Sequence, residues 1–413
     1  MDLDLPPHIW IISAMATQAK AIAIKSVRNL PIDSESLPLK GGDGAAHHQP
    51  NDLRAFWDLV AGSPVSWLLL VTPFAIWSYL AQWGAVWVFT LNFLAMMPLA
   101  NILGEATENL AEHTGDTIGG LVNASFGNAV EIIIAIFALK AGEIELVQSS
   151  LIGSMLSNLL LVLGMCFISG HLGGAKESTF SGVGASINMS LLFVASFAML
   201  VPSYYAQSVS HADEGDHSIA VLGLSRMSAI FLVLMYVQLM FFQLVTHKPA
   251  DIANDGHGPA LSLVGATVVL LLSTVSVAFL SEFLVSSVDE LTETSGIPKA
   301  FIGIIVLPIV GNAVEHITAL KVAYKDNMEL AMGVAVGSAT QISLFVVPVC
   351  VIAGWIMGQP MTLAFNTFEA LTYVFTTLIV YVIVADGKSN WLEGSMLLTL
   401  YILVGLSLLE ITI

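Results

Sequence analysis

Long apolar runs separated by short polar breaks dominate the chain. Between Asp58 and Glu105 lie 46 positions without a charge, room for two membrane crossings of about 20 residues each. Read by the same rule, the pattern predicts eleven spans, near 65–82, 84–111, 117–140, 145–170, 181–203, 218–246, 259–289, 298–323, 328–357, 361–385 and 391–412. The charged end of segment 259–289 is expected to leave the bilayer. The fold class this implies is an all-α polytopic membrane protein. Residues 1–64 carry five basic residues and turn polar and Gly/His-rich from Ser34 to Asn51, the composition of a largely disordered tail. The apolar stretch Ile9–Ile24 is interrupted by Lys20 and lacks a preceding basic region, which argues against a cleaved signal; a short surface-lying helix is the lesser alternative to disorder there.

Composition agrees. Of the side chains 56% are hydrophobic and 11% charged, against roughly a quarter charged in ordinary soluble chains. The mean hydropathy of +0.83 belongs to a chain solvated mostly by lipid and excludes a soluble enzyme or binding module. A net charge of −18 argues against a nucleic-acid or anionic-lipid partner. Two cysteines exclude a disulfide scaffold and a thiolate metal cluster. Basic residues fall in alternate loops: Lys20, Lys25, Arg28, Lys40, Arg54, Lys176, Lys248, Lys321, Lys325 and Lys388 on one side, Lys140 and Lys299 on the other, with Arg226 inside a span. That bias predicts a cytosolic N-terminus and, with an odd span count, a C-terminus on the opposite side. The acidic loop His211–His217 would then face the lumen or exterior.

The chain also repeats itself. Gly-Asn-Ala-Val-Glu occurs at 127–131 and again at 311–315, an offset of 184. Without a gap, the same offset aligns Ile118-Gly119 with Ile302-Gly303, Glu145-Leu146 with Glu329-Leu330, Gly153-Ser154 with Gly337-Ser338 and Cys166 with Cys350. A register kept over some fifty residues is a duplication, not chance. The two motif spans are the third and the eighth, five crossings apart, so the copies should be inverted with respect to one another. The expected layout is a tail (1–64), an extra N-terminal helix (65–82), a five-helix repeat (84–246), a short linker (247–258) and a second five-helix repeat (259–413). Inverted repeats of this kind are a transporter signature and put the substrate near the bilayer midplane.

Glu131 and Glu315 fall near the middle of otherwise apolar spans, where an acid costs at least a few kcal/mol and normally lines a pathway or binds an ion. Asn128 and Asn312 precede them by three residues, on the same helical face. Gly127 and Gly311, with Pro308 upstream of the second, loosen the helices so that carbonyls can turn inward. Two carboxylates, two amide oxygens and backbone carbonyls form an all-oxygen set suited to Ca²⁺ and nearly as well to Mn²⁺; zinc would more typically recruit His or Cys. For Ser154, Ser157, Ser338 and Gln341 two readings stand, ligand or access path on one hand and small-residue helix packing on the other. Asn123 and His316 are further candidates, His316 either as a proton relay or as a structural side chain. Glu105, Glu108 and Glu112 before the first motif span, and Asp289, Glu290 and Glu293 before the second, predict a cation-attracting vestibule on each face; solvated helix ends are the plainer reading. The roles of Glu282 and Glu369 are left open. No phosphate-binding loop or phosphorylation motif appears, so uphill transport would draw on another ion gradient.

The doubled pentapeptide, each copy followed by a Gly-Ser segment in the next span, resembles the cation/proton exchanger family of the calcium/cation antiporter superfamily, and its vacuolar Ca²⁺/H⁺ exchangers in particular. The likeness covers roughly residues 65–412 and includes the run 117–126 and Ser-Asn-Trp-Leu-Glu-Gly at 389–394. It implies that Glu131 and Glu315 hold cation and protons in alternation, assisted by the asparagines and by the Ser and Gln of the following spans. It also implies exchange of Ca²⁺, and in some members Mn²⁺, for H⁺ at the vacuolar membrane, with no enzymatic step and no resident cofactor. The linker Thr246–Gly258 carries only Asp251 and Asp255, unlike the long acidic segment of many relatives. A Na⁺-driven Ca²⁺ exchanger is the nearest alternative, but positions 129–130 and 313–314 are Ala-Val, not the hydroxyls expected of separate Na⁺ sites. A cation channel fits the acidic mouths without needing an inverted repeat.

Overall fold

The structure, a computed structural model, describes residues 52–208, 214–247 and 260–410. The tail up to residue 51, the first half of the His211–His217 loop and the linker from residue 248 lie outside the described residues. Among those described, the only strands are a two-residue antiparallel pair, β1 (Ser178–Thr179) and β2 (Lys388–Ser389), and the rest is helices and their connections.

An entry helix α1 (Asp52–Gly62) meets the following arm at 100°; that arm is a 3₁₀ turn running into α2 (Thr72–Leu80). Then come α3 (Ala85–Thr114), α4 (Asp116–Phe126), α5 (Ala129–Ala141), α6 (Ile144–Leu172), α7 (Gly182–Ser208), α8 (Ser218–Thr246), α9 (Leu263–Ser286) and α10 (Val288–Ser295). The chain closes with α11 (299–324), α12 (Met328–Met357), α13 (Thr367–Val384) and α14 (Trp391–Glu410). Among the described residues eight helices are long and apolar enough to cross a membrane, or ten if the α1–α2 arm and the bent α11 each count as one. The remaining segment of the sequence reading, 117–140, is broken at Gly127-Asn128 into α4 and α5. At about 1.5 Å per residue, neither of these two pieces alone spans about 30 Å of hydrocarbon.

Three boundaries differ from the apolar pattern. Segment 259–289 stops as a helix at Ser286, and the acidic α10 follows as a separate piece. Segment 65–82 opens as a 3₁₀ turn and meets the helix before it, Asp52–Gly62, at 100°. The last begins at Thr367 instead of 361: residues 359–366 form a non-helical strap with Met361, Leu363 and Phe365 buried. Backbone at membrane depth must be satisfied by protein when it is not helical. Here Gln148 Nε2 donates to the carbonyls of Thr362 (3.0 Å) and Ala364 (3.1 Å), while Leu363 N donates to Ser225 Oγ (3.0 Å) and Phe365 N to Ser203 Oγ (3.0 Å).

The centre of the bundle is α6, 83% buried along its most apolar stretch, whereas α8, α9 and α14 are 28% buried and present Phe231, Val264 and Ile402 outward. An apolar outer surface of that kind suits lipid. Helices α6 and α11 meet backbone to backbone. A Cβ at Gly153 would lie 2.6 Å from Ile304 Cα, and one at Gly303 would lie 2.6 Å from Ser149 Cβ. Only glycine permits so close an approach.

Candidate cation site

Both copies of the pentapeptide sit where a helix is interrupted. The first lies between α4 and α5, with Asn128 at the N-cap position of α5 and Glu131 in its first turn. The second lies at the bend of α11, whose arms Lys299–Ala313 and Glu315–Tyr324 meet at 68°. The helices that follow match in turn: α6 has a π-helical turn over Ser157–Val162 and α12 one over Ile342–Val346, close to the same offset. Such turns swing side chains off the regular register and are common where function needs them.

These interruptions bring the two halves of the chain together. The Glu131 carboxyl packs against Gly311, where an added Cβ would lie 2.8 Å from Glu131 Cδ. Asn128 Nδ2 donates to Gln341 Oε1 over 2.9 Å, and Asn158 Nδ2 donates to Ser338 Oγ over 3.3 Å. Ser157 Oγ and His316 Nε2 are 3.4 Å apart. The Ser338 hydroxyl stands beside Glu315, and Glu131 is near enough to interact with Glu315 electrostatically. Each of these contacts joins a residue of the first half to one of the second, except that of Ser338 with Glu315. Asn312 is buried with both amide atoms unpartnered, and Glu315 Oε2 and Asn158 Oδ1 are unpartnered as well. Unsatisfied oxygens of this density are costly unless something else fills their lone pairs.

Two cavities flank the site, and they are very unequal. A cavity of about 430 Å³ reaches from Glu105 and Glu108 past Asn123 and Gly127 to Glu315 and Gln341. On the other side of Gly311, Glu131 faces a space of about 10 Å³ with Ser150, Ser154 and Pro308. Of the acidic residues singled out in the sequence, the large cavity takes Glu105 and Glu108; Glu112 is exposed on α3 outside it. Glu290 and Glu293 lie exposed on α10, and neither they nor Asp289 line it. Among the described residues no three His, Cys, Asp or Glu side chains gather as a metal cage, so a cation here would rest on the two glutamates with amide, hydroxyl and carbonyl oxygens. Asn158, which ties the two halves, was not singled out: its counterpart at the repeat offset is Ile342, so comparison of the copies passes over it.

At helix ends away from the residues that line the large cavity, lysines clip neighbouring helices together. Lys299 Nζ, at the start of α11, bonds Glu143 Oε2 (2.7 Å) and Asp289 Oδ1 (2.5 Å), and Lys140 bonds Glu282 (3.3 Å). The hydrogen bond from Lys299 holds the Asp289 carboxyl below the usual carboxylate range. A lowered folded value means the ion pair persists above the ordinary range and is lost only as pH falls through the lowered value. Lys299→Gln is therefore expected to speed hydrogen exchange of the α10 amides by about fivefold, as for a partly exposed pair worth up to about 1 kcal/mol. In the unaltered chain those rates, corrected for intrinsic exchange, should stay flat between about pH 7.5 and 5.5. A pH-dependent opening over that range would contradict the assignment.

Comparison with known proteins gives consistent matches. The model of the family described as sodium/calcium exchanger protein matches residues 84–245 and 265–409. A vacuolar calcium ion transporter of Schizosaccharomyces pombe is 41% identical over 346 residues, covering 82% of this chain and 83% of that protein. A Ca²⁺/H⁺ antiporter of Aphanothece halophytica is 42% identical over 357 residues, covering 82% of this chain and 94% of that one. The solved structure of native YfkE superposes with a TM-score of 0.71 at 35% identity, over 86% of this chain and all of that one.

Proposed function

The chain belongs to the sodium/calcium exchanger protein family, within it to the cation/proton exchangers, and from that premise we propose that it exchanges Ca²⁺ for H⁺ at Glu131 and Glu315. The observation that carries this reading is the meeting of the two half-chains around unpaired oxygens of Asn312 and Glu315, the latter lining a cavity that also holds Glu105 and Glu108. A divalent cation drawn in by Glu105 and Glu108 sheds water against these oxygens, and Ca²⁺ accepts 6–8 of them without strict geometry. Mn²⁺ fits the same donor set.

Exchange follows from charge. The two carboxylates are neutralised either by one divalent cation or by two protons. In both states the site is near neutral and can change the face it presents; empty and doubly charged, it is costly to carry through a low-dielectric barrier. Cation and protons therefore travel by turns, and neither leaks alone. The matching helix interruptions and π-helical turns support an arrangement of one N-terminal helix followed by two inverted five-helix repeats. The lysine and arginine bias supports a cytosolic N-terminus and a lumenal C-terminus, so the large cavity opens to the cytosol and the Lys299 clip faces the lumen. The vacuolar relatives favour the vacuolar membrane.

In proteoliposomes of the purified chain, an imposed pH gradient is expected to drive radiolabelled Ca²⁺ uptake, and an imposed Na⁺ gradient at equal pH is not. Uptake driven by Na⁺ alone would replace this reading with the Na⁺-coupled one.

A further inference from the structure

Glu369 is an acid that the exchange mechanism leaves unused. It lies in the first turn of α13, 3% exposed, and its Oε1 accepts a 2.5 Å hydrogen bond from Ser149 Oγ on α6. A buried carboxyl at membrane depth normally serves ion traffic. Its surroundings contain little charge. Helix α7, packed along α13, has no charged residue over Gly182–Ser208, nor has the Ser157–Val162 turn of α6. β2, with Lys388, meets the far end of α13. The charged group that faces Glu369 is Glu145, an exposed carboxylate one turn before Ser149 on α6.

Helix α6 thus presents groups in a graded order. Glu145 is exposed, Ser149 holds the buried Glu369, and Ser150 and Ser154 line the small cavity against Glu131. That cavity, of about 10 Å³, is the size of a single water. A hydrated divalent cation cannot use it, whereas a proton passed between oxygens can.

We propose that Glu369 is a proton relay between the lumenal face and Glu131, a route on the closed side that the cation cannot follow. In the forward step protonated Glu369 gives up its proton through the Ser149 hydroxyl and a water of the small cavity lined by Ser150 and Ser154 to the Glu131 carboxylate. Glu369 is left ionised and is reprotonated from the lumen past Glu145. One O–H bond breaks and one forms at each transfer, and no electrons change hands.

This inference rests on the Ca²⁺/H⁺ reading, so the wild-type chain is measured first in proteoliposomes; absence of pH-driven uptake there sinks that reading, not the relay alone. Two modes are then compared: Ca²⁺ uptake driven by a pH gradient, and exchange of labelled for unlabelled Ca²⁺ without one. Glu369→Gln is expected to slow the first by about tenfold or more while leaving the second within about twofold. Glu369→Asp is expected to retain both modes with a shifted dependence on lumenal pH. The relay is overturned if Glu369→Gln drives uptake like the wild type, or if it loses both modes together. It is equally overturned if Glu369→Asp leaves the lumenal pH profile unmoved, a criterion that stands even should the Gln variant fail to fold.

Discussion

Glu131→Gln and Glu315→Gln are each expected to reduce pH-driven Ca²⁺ uptake in vesicles by about 100-fold or more. Gln keeps the shape of the side chain, so the loss measures charge and not packing. A carboxylate oxygen about 2.4 Å from a divalent ion gains roughly 14 kcal/mol at an effective dielectric of about 20. Desolvation cancels most of that, but a remainder of only about 3 kcal/mol is already a factor above 100. Each variant also removes a proton-binding group, so the Ca²⁺ that still moves should carry fewer protons in return. Asn312→Ala isolates the ligand role further: its amide atoms have no hydrogen bonds to lose, so Ca²⁺ affinity should fall about tenfold with little change in thermal stability. Asn128→Ala breaks the bond to Gln341 and should cost stability as well as affinity. Wild-type uptake in both glutamate variants would refute the site.

The second large effect is expected at a glycine where an added methyl group would touch nothing. Gly153 and Gly337 correspond at the repeat offset, yet their surroundings are opposite. Gly153 is pressed against the backbone of Ile304, whereas a Cβ at Gly337, next in sequence to the cavity-lining Ser338, would meet no atom within 4 Å. If the copies exchange conformations when the protein changes the face it presents, Gly337 must become as tightly packed as Gly153 is now. Gly337→Val should therefore fold and bind Ca²⁺ from the cavity side, while turnover falls by about tenfold or more because the second packing is blocked. Gly153→Val should instead fail at the level of stability, since helix backbone cannot yield as a flexible side chain can. The pair is read by ligand-dependent melting alongside flux. Unimpaired exchange by Gly337→Val would show that this contact does not form in the cycle.

Much of the site was legible because it is written twice. Self-comparison picks out Glu131, Glu315, Asn128, Asn312, Ser154 and Ser338, and the glycine beside each asparagine marks where a helix is interrupted. What is not doubled is harder to see. Asn158 has an apolar counterpart, and Lys299 has Gly115, so neither stands out on symmetry. The strap before α13 misleads for a different reason. Met361-Thr-Leu-Ala-Phe is as apolar as a membrane helix, and the groups that hold it extended, Gln148, Ser203 and Ser225, are more than 130 residues away in the chain. Hydropathy reports how greasy a segment is, not which distant donors will claim its backbone.

Asn128 answers to Gln341, and Asn158 to Ser338, so neither half satisfies these side chains alone. A half-chain produced alone would carry a carboxylate with no partner to finish its cage. A change at Gln341 removes the acceptor of Asn128 in the other half, so the two copies, however different elsewhere, are held to one another at this bond.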